Sequence, residues 1–186
     1  MKASICLPFF AASLVFGHAV VDDPAPRKTG SSQEALCGSV LTKAFESDIA
    51  GPIENAVSKA VDPYSCNPYL CRGYQFEDNT DNVRSVQAGD VIHFHVDLIA
   101  GHRPGYANTS IIDTATNTVI GEPLRSWDEW PGQNTGSDRE DINFNVTIPA
   151  GLEETCGEAG KCVIQWYWYA TKNKQTYESC LDIQVS

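Results

Sequence analysis

The sequence predicts a mainly β fold, built as an antiparallel β-sandwich with long loops and a short helical segment. Apolar and polar residues alternate over residues 91–98 and again over residues 141–148, which is the period-two pattern of strands with one buried face. Other short runs rich in β-branched or aromatic residues follow at regular spacing, with glycine, proline and asparagine between them. Short strands separated by such turn residues are typical of a sandwich.

The start of the chain has the layout of a secretory signal peptide. The basic Lys2 precedes a largely apolar run that ends at Phe16, and the small residue Gly17 follows, as in signals that are cleaved. No later apolar run approaches the length that spans a bilayer. We therefore expect a secreted, extracellular protein with a signal peptide at residues 1–17 and a single domain at residues 18–186.

The role of His18 depends on where this signal is cut. Cleavage after Gly17 makes His18 the first residue of the mature protein, whereas cleavage after Ala19 also fits the small-residue rule and deletes it. An N-terminal histidine offers two nitrogen donors, the free α-amine and a ring nitrogen. A second histidine would complete a roughly T-shaped site of three nitrogens, which suits Cu(II). Without that cleavage, His18 is an ordinary residue near a processing site.

Helical sequence is confined to residues 34–60. Apolar residues recur there three and four positions apart, and Pro52 is placed where a helix could begin. The preceding residues 20–30 contain two prolines and are expected to be extended or looping. Residues 62–74, rich in proline and cysteine, are expected to form a loop.

The rest of the chain is dominated by strand patterns and one long polar loop. Besides the two alternating runs, strands are predicted at residues 108–113, 119–121, 163–170 and 177–185. A turn is expected at residues 116–118, and a polar loop with two tryptophans at residues 126–138. In the run 141–148, the apolar residues Ile142, Phe144, Val146 and Ile148 share one face.

Charge restricts the partners of this protein. The formal net charge is -11, and a surface of that sign repels nucleic acid and anionic membranes. A neutral or cationic substrate is compatible with it. We therefore expect no nucleic-acid partner and no membrane partner, and we expect the protein to act as a monomer.

Cysteine usage predicts three disulfide bonds. The chain has seven cysteines, of which Cys6 lies in the signal and six follow it, and an even count in a secreted chain indicates pairing. Sequence alone does not choose among the possible connectivities. If short loops are closed first, the pairs are Cys66–Cys71, Cys156–Cys162 and Cys37–Cys180.

Two sequons could carry N-linked glycans in a eukaryotic secretory route. Asn108 and Asn145 each begin an Asn-x-Ser/Thr motif. Both lie in strand-like sequence, so one or both sites could be unused.

Two further segments carry residues that suit a copper site. His102 lies in a turn between two predicted strands, where the backbone can aim a side chain outward. Gln175 and Tyr177 are two apart on the last predicted strand, so their side chains face the same way. The tyrosine could close one axial side of a copper ion, and the glutamine could hydrogen-bond an oxygen species. Taken singly, each is an ordinary loop or strand residue.

Taken together, these residues resemble lytic polysaccharide monooxygenases. In that family the mature chain starts with histidine, a mid-chain loop supplies a second histidine, and a Q-x-Y-x-x-C segment lies at the final strand. His18 and His102 match the two histidines, and Gln175, Tyr177 and Cys180 match the segment position by position. Similarity to auxiliary activity family 16 in particular extends over essentially the whole mature chain, at residues 107–114, 120–121, 165–169 and 176–182.

The resemblance implies an immunoglobulin-like or fibronectin-like sandwich with one copper ion on a flat face. It also implies a copper-dependent oxidoreductase that cleaves glycosidic bonds of insoluble cellulose oxidatively, with an external electron donor and hydrogen peroxide or oxygen. The α-amine and a ring nitrogen of His18, with a ring nitrogen of His102, would hold the copper in a histidine brace. Tyr177 would lie axially, and Gln175 would position the oxygen species.

His93 and His95 are rival ligands, since they share one strand face and could bind a metal together with His102. We favour the interpretation that they are ordinary residues on a polar face. Tyr106, Trp127 and Trp130 are candidates for stacking on sugar rings, and the two tryptophans could equally anchor the loop by packing beneath it.

Two other functions stay open at this point. One is a copper-binding protein of the same fold without polysaccharide chemistry, and the other is a non-catalytic carbohydrate-binding module. Chitin is the alternative substrate. A hydrolase is disfavoured because the sequence contains no nucleophile motif such as G-x-S-x-G, and neighbouring acids such as Asp128 and Glu129 fit a solvated loop better than an acid/base pair.

Overall fold

The computed structural model describes residues 17–61, 63–133 and 139–186. The predicted signal peptide, apart from Gly17, lies outside the described residues, and so do Cys6, Asp62 and residues 134–138 of the polar loop. No helix within the described ranges is long and apolar enough to cross a membrane.

Two β-sheets pack face to face, which confirms the predicted mainly β sandwich. The strands are β1 (His18–Asp23), β2 (Val83–Val86), β3 (Val91–Ala100), β4 (Gly105–Asp113), β5 (Thr118–Trp127), β6 (Asn143–Thr147), β7 (Cys162–Ala170) and β8 (Gln175–Val185). One sheet has three strands in the order β1-β3-β6, and the other has five in the order β2-β8-β7-β4-β5. All pairings are antiparallel except that of β2 with β8, which is parallel.

The main core lies between the sheets and follows the predicted alternation. Ile142, Phe144, Val146 and Ile148 are all buried, as expected for residues on one strand face. Phe144 stacks on Phe94 of β3 with ring centroids 5.5 Å apart. The period-two pattern therefore identifies this part of the core correctly.

Two strands are not among those predicted from the sequence. β1 occupies the start of the segment that was expected to be extended or looping, and it pairs with β3 along nearly its whole length. β2 has only four residues, too few for an alternating pattern to stand out. Both gain their hydrogen bonds from partners far away in sequence, so local sequence carries little sign of them.

The predicted helical region forms three short helices, α1 (Ser31–Cys37), α2 (Ser39–Ser47) and α3 (Ile53–Val57). Pro52 immediately precedes α3, as predicted. Two 3₁₀ turns (Cys71–Gly73 and Phe76–Asp78) and α4 (Glu153–Cys156) complete the regular structure of the described residues. The helices pack around Phe45 and Tyr74 in a small core of their own.

Helix α1 is capped by a residue distant in sequence. Its N-cap residue is Gly30, which has no side chain to bond the first amides. The Asp78 carboxylate accepts hydrogen bonds from the amides of Ser32 and Gln33, at 2.9 and 2.8 Å. Burial by itself would raise the pKa of Asp78, but these hydrogen bonds outweigh it and hold the pKa below its usual value.

The disulfide pairing corrects two of the three predicted bonds. The structure contains Cys37–Cys66, Cys71–Cys180 and Cys156–Cys162, so only the last pair was predicted correctly. Loop length fails here because the fold decides which cysteines meet. Backbone hydrogen bonds from residues 65 and 66 to Leu36 bring that segment against α1, and Cys71 packs with Cys180 of β8 in a small cluster apart from the main core.

The two sequons lie in strands, as predicted, and differ in access. Asn145 is exposed on the edge strand β6, whereas Asn108 is only partly exposed in β4, between β5 and β7. Glycosylation at either residue stays a prediction, with Asn145 the more accessible.

Candidate metal centre

Three elements bring the predicted site residues to one end of the sandwich. His18 opens β1 and pairs with Ala100 at the end of β3, and His102 follows two residues later in the loop to β4. β8 begins at Gln175, opposite Ala170 at the end of β7. Strand register therefore places His18, His102 and the start of β8 close together, although they are far apart in sequence.

The backbone entering His18 lies against both of the other candidate ligands. A β-carbon placed on Gly17 would fall 2.4 Å from His102 Cδ2 and 2.7 Å from Tyr177 Oη. The Tyr177 hydroxyl lies 3.0 Å from the carbonyl oxygen of Gly17, to which it can donate a hydrogen bond. Cleavage of the bond between Gly17 and His18 would thus free an α-amine within this cluster.

His102 has the features of a metal ligand. Its Nε2 atom is buried and has no hydrogen-bond partner among the residues that the structure describes. Burial lowers the pKa of the His102 imidazole, and the neighbouring His18 lowers it further. A metal ligand must be unprotonated, and a buried polar atom without a partner calls for an explanation. The residues present therefore fit a metal bound at this nitrogen.

Tyr177 lies next to the backbone that enters His18, and Gln175 lies next to Tyr177. The Tyr177 ring is buried and stacks on Trp168, with centroids 4.0 Å apart and planes inclined by 17°. Its hydroxyl is also 3.1 Å from Gln175 Oε1, a second acceptor for the same proton. Burial raises the pKa of Tyr177, and the carboxylates of Glu54 and Asp48 raise it further, so the phenol stays neutral at ordinary pH.

The structure adds one residue that sequence reasoning missed. Asp48, at the end of α2, places its Oδ2 atom 3.2 Å from His18 Nε2. The two side chains are 39% and 29% exposed, respectively. Nothing in the local sequence of Asp48 marks it, because the contact depends on how the loop after α2 packs against β1.

The three aromatic residues proposed to stack on sugar differ in how deeply they are buried. Trp130 is fully buried, packs against Trp166 and Trp168 at centroid distances of 5.1 and 4.7 Å, and donates from Nε1 to the carbonyl oxygen of Asp141 at 2.8 Å. Burial excludes the stacking of Trp130 on sugar and agrees with the other interpretation that the sequence offers, a loop anchor. The polar loop folds back over the core, so Trp130 anchors it from beneath.

Trp127 and Tyr106 differ in what their rings contact. Trp127 is partly buried and packs edge-on against Phe144, with centroids 4.7 Å apart. Tyr106 is 41% exposed and lies beside Tyr167 and Tyr169 on the outer face of the five-stranded sheet. Tyr106 is thus the better placed of the two for stacking on a sugar, and both stay proposals.

The two alternative metal ligands, His93 and His95, contact other side chains. His93 Nδ1 lies 3.0 Å from Asn145 Oδ1, and His95 forms an ion pair with Asp22. Within the described residues no group of three or more His, Cys, Asp or Glu side chains could hold a metal ion, so His93 and His95 do not join His102 in such a group. They are residues on the outer face of β3, as favoured from the sequence.

Comparisons with known proteins show similarity in sequence pattern and in fold. A family model described as lytic polysaccharide mono-oxygenase, cellulose-degrading, matches residues 18–183. No curated protein matches the chain at the level of sequence. An AA10 lytic polysaccharide monooxygenase from Streptomyces lividans has 14% identity and a TM-score of 0.50, over 90% of this chain and 99% of that one, which is a similarity of fold.

Two further solved structures are similar at lower TM-scores. The catalytic domain of a lytic polysaccharide monooxygenase from Listeria monocytogenes has 14% identity and a TM-score of 0.43, over 91% of this chain and 99% of that one. A chitin binding domain from Burkholderia pseudomallei has 11% identity and a TM-score of 0.47, over 91% of this chain and 100% of that one.

Proposed function

This chain belongs to the lytic polysaccharide mono-oxygenase family, and from that premise we propose that it is a secreted enzyme that oxidatively cleaves cellulose with copper held in a histidine brace. Members of the family are copper-dependent oxidoreductases that act on polysaccharides. The observation that carries the proposal is the convergence of the His18 backbone, the partnerless His102 Nε2 atom and the Tyr177 hydroxyl around Gly17.

The proposed ligands are the α-amine and a ring nitrogen of His18 and the Nε2 atom of His102. Bound there, copper would supply the change of oxidation state that removal of hydrogen from a sugar C–H bond requires. The protein's own residues supply geometry. Tyr177, held by its stacking on Trp168, would lie beside the ion as a neutral phenol, and Gln175 would present its side-chain amide to the same part of the site.

Cellulose is the proposed substrate, with chitin as the alternative. The matching family model is described as cellulose-degrading. The sequence at residues 107–114 and 165–169 favours auxiliary activity family 16 among the lytic polysaccharide monooxygenases. Tyr106, exposed near the start of β4, is proposed to stack on a sugar ring. The proposed partners are thus an insoluble polysaccharide and an external electron donor, and the acidic surface is compatible with a neutral polymer.

The proposal predicts reductant-dependent release of oxidised oligosaccharides from cellulose. The protein, beginning at His18 and loaded with copper, is incubated with microcrystalline cellulose and with chitin, with and without ascorbate, and the soluble products are identified by mass spectrometry. We expect oxidised products from cellulose only when ascorbate is present. Because His102 is a proposed ligand, the His102→Ala variant is expected to release none.

The other outcomes distinguish the alternatives. Oxidised products from chitin alone would replace cellulose with chitin as the substrate. Tight copper binding without products from either polymer would identify a copper-binding protein of the same fold. Polymer binding that is unchanged in His102→Ala, without copper binding or products, would identify a carbohydrate-binding module.

A further inference from the structure

The loop between α2 and α3 (residues 48–52) contacts the predicted mature N-terminus at two adjacent points. The amide of Ala19 donates a hydrogen bond to the carbonyl oxygen of Ala50 at 3.0 Å. The side chain of the preceding residue, His18, places Nε2 3.2 Å from Asp48 Oδ2. One contact fixes the backbone of the first strand and the other fixes the imidazole, so this loop sets the orientation of His18.

Arg72 holds this loop in place from beneath. Its guanidinium donates hydrogen bonds to the carbonyl oxygen atoms of Asp48 and Gly51, at 2.8 and 2.7 Å. The side chain is buried and lies over the ring of Phe45, 4.8 Å from its centroid. Arg72 bonds only backbone oxygen atoms of the loop, so the Asp48 carboxylate is left to contact His18. Replacing that carboxylate would not remove the hydrogen bonds from Arg72.

Gly51 is needed for the position of the carboxylate. A β-carbon on Gly51 would fall 2.0 Å from Asp48 Oδ2 and 2.3 Å from its Cγ. No heavy atom can occupy that space while Asp48 keeps its rotamer. An added methyl group would therefore push aside the end of a side chain that can rotate, with the backbone of the loop left in place.

We propose that Asp48 is a positioning residue, which accepts a hydrogen bond from His18 Nε2–H and thereby presents Nδ1 as the ring nitrogen that binds copper. The partner of one ring nitrogen fixes which nitrogen carries the proton and which one can ligate. Nδ1 is also the ring nitrogen nearer to the α-amine along the covalent chain, so both donors of His18 can reach one ion. This inference rests on the proposed copper site and extends it to a residue outside the ligand set.

The first test is a Cu(II) competition titration on protein that begins at His18. Residues that orient a metal-bound histidine typically contribute about 10–100-fold to metal affinity, and we expect Asp48→Ala to weaken binding by about that factor. Asp48→Asn keeps an oxygen that can accept the hydrogen bond and is expected to recover part of the loss. Gly51→Ala, in which residue 48 is unchanged, is expected to weaken binding in the same direction as Asp48→Ala.

The matched control lies on the same strand. Asp22 pairs with His95 on the outer face of the sandwich, so Asp22→Ala removes another carboxylate from a histidine and is expected to leave copper affinity unchanged. If wild-type protein binds copper tightly and both Asp48→Ala and Gly51→Ala match it, the positioning role is overturned. Equal losses in Asp48→Ala and Asp22→Ala would also overturn it, because charge alone would then explain the effect.

A second readout needs no metal. Long-range proton–nitrogen NMR on metal-free, histidine-labelled protein identifies the ring nitrogen that carries the proton. We expect the His18 proton on Nε2 in the wild type and a mixture of both tautomers in Asp48→Ala. The same mixture in both proteins would overturn the inference. If the wild type fails to bind copper, the proposed function falls, while the tautomer result still decides the role of Asp48.

Discussion

Replacement of His102 with alanine is expected to abolish tight copper binding, with a loss of more than ~100-fold in Cu(II) affinity. Removal of a residue that only orients a ligand already costs about 10–100-fold, and His102 is proposed to be a ligand itself. Its Nε2 atom is buried without a hydrogen-bond partner among the described residues. Alanine therefore removes a donor that the fold does not use elsewhere, and the variant is expected to stay folded.

The measurement is a competition titration of mature wild type, His102→Ala and His93→Ala. His93 lies on the strand that leads to His102, but it is exposed and contacts Asn145. We expect His93→Ala to bind copper as the wild type does. Equal affinities in all three proteins, with circular dichroism showing that each is folded, would contradict the assignment of His102 as a ligand.

Removal of the Asp182 carboxylate is expected to destabilise the fold by about 3–5 kcal/mol, the usual cost of leaving a buried charge without its partner. Asp182 is 0% exposed and Arg27 is 5% exposed. The guanidinium donates from Nε and Nη2 to the two carboxylate oxygen atoms, each at 2.6 Å, and from Nη1 to the carbonyl oxygen of Tyr74 at 3.0 Å. Asp182→Ala would leave the Arg27 cation buried, without its partner, between β8 and the segment that follows β1.

Urea unfolding of wild type and Asp182→Ala measures the difference in the free energy of unfolding. Glu158→Ala is the control, because it removes a carboxylate from an exposed ion pair with Lys161. Such a pair contributes about 0–1 kcal/mol. A loss in Asp182→Ala no larger than in Glu158→Ala would show that the buried pair does not hold β8 to the N-terminal segment.

Much of the fold could be predicted because its strands alternate. Residues 91–98 and 141–148 carry an apolar face that local sequence displays; the first run lies within β3, and residues 143–147 of the second form β6. The failures share one cause, which is pairing between distant segments. Local sequence does not reveal the pairing of β2 with β8 or the bond between Cys71 and Cys180. A preference for short disulfide loops predicts the wrong partner for Cys71.

In the candidate site, too, residues marked by local sequence could be predicted, and residues whose role depends on long-range packing could not. His18, His102, Gln175 and Tyr177 could be proposed because residue type and spacing match a family pattern, and the structure brings all four to one end of the sandwich. For Trp130 the sequence allows both sugar stacking and loop anchoring, because its local sequence is polar, and only the structure shows that its ring packs under the loop. Asp48 could not be proposed from its local sequence, because its contact with His18 exists only when the loop after α2 packs against β1.

The central claim is that the α-amine of His18 and the ring of His102 form one copper site. The most direct test is a Cu(II) titration, followed by electron paramagnetic resonance, of two proteins that begin at His18 and differ only in whether the α-amine is free or acetylated. Acetylation turns the amine into an amide nitrogen, changes no side chain and supplies no new amine. We predict one tightly bound copper per chain with a nitrogen-rich axial spectrum when the α-amine is free, and loss of that tight site when it is acetylated. Equal affinity and identical spectra for the two proteins would contradict the account.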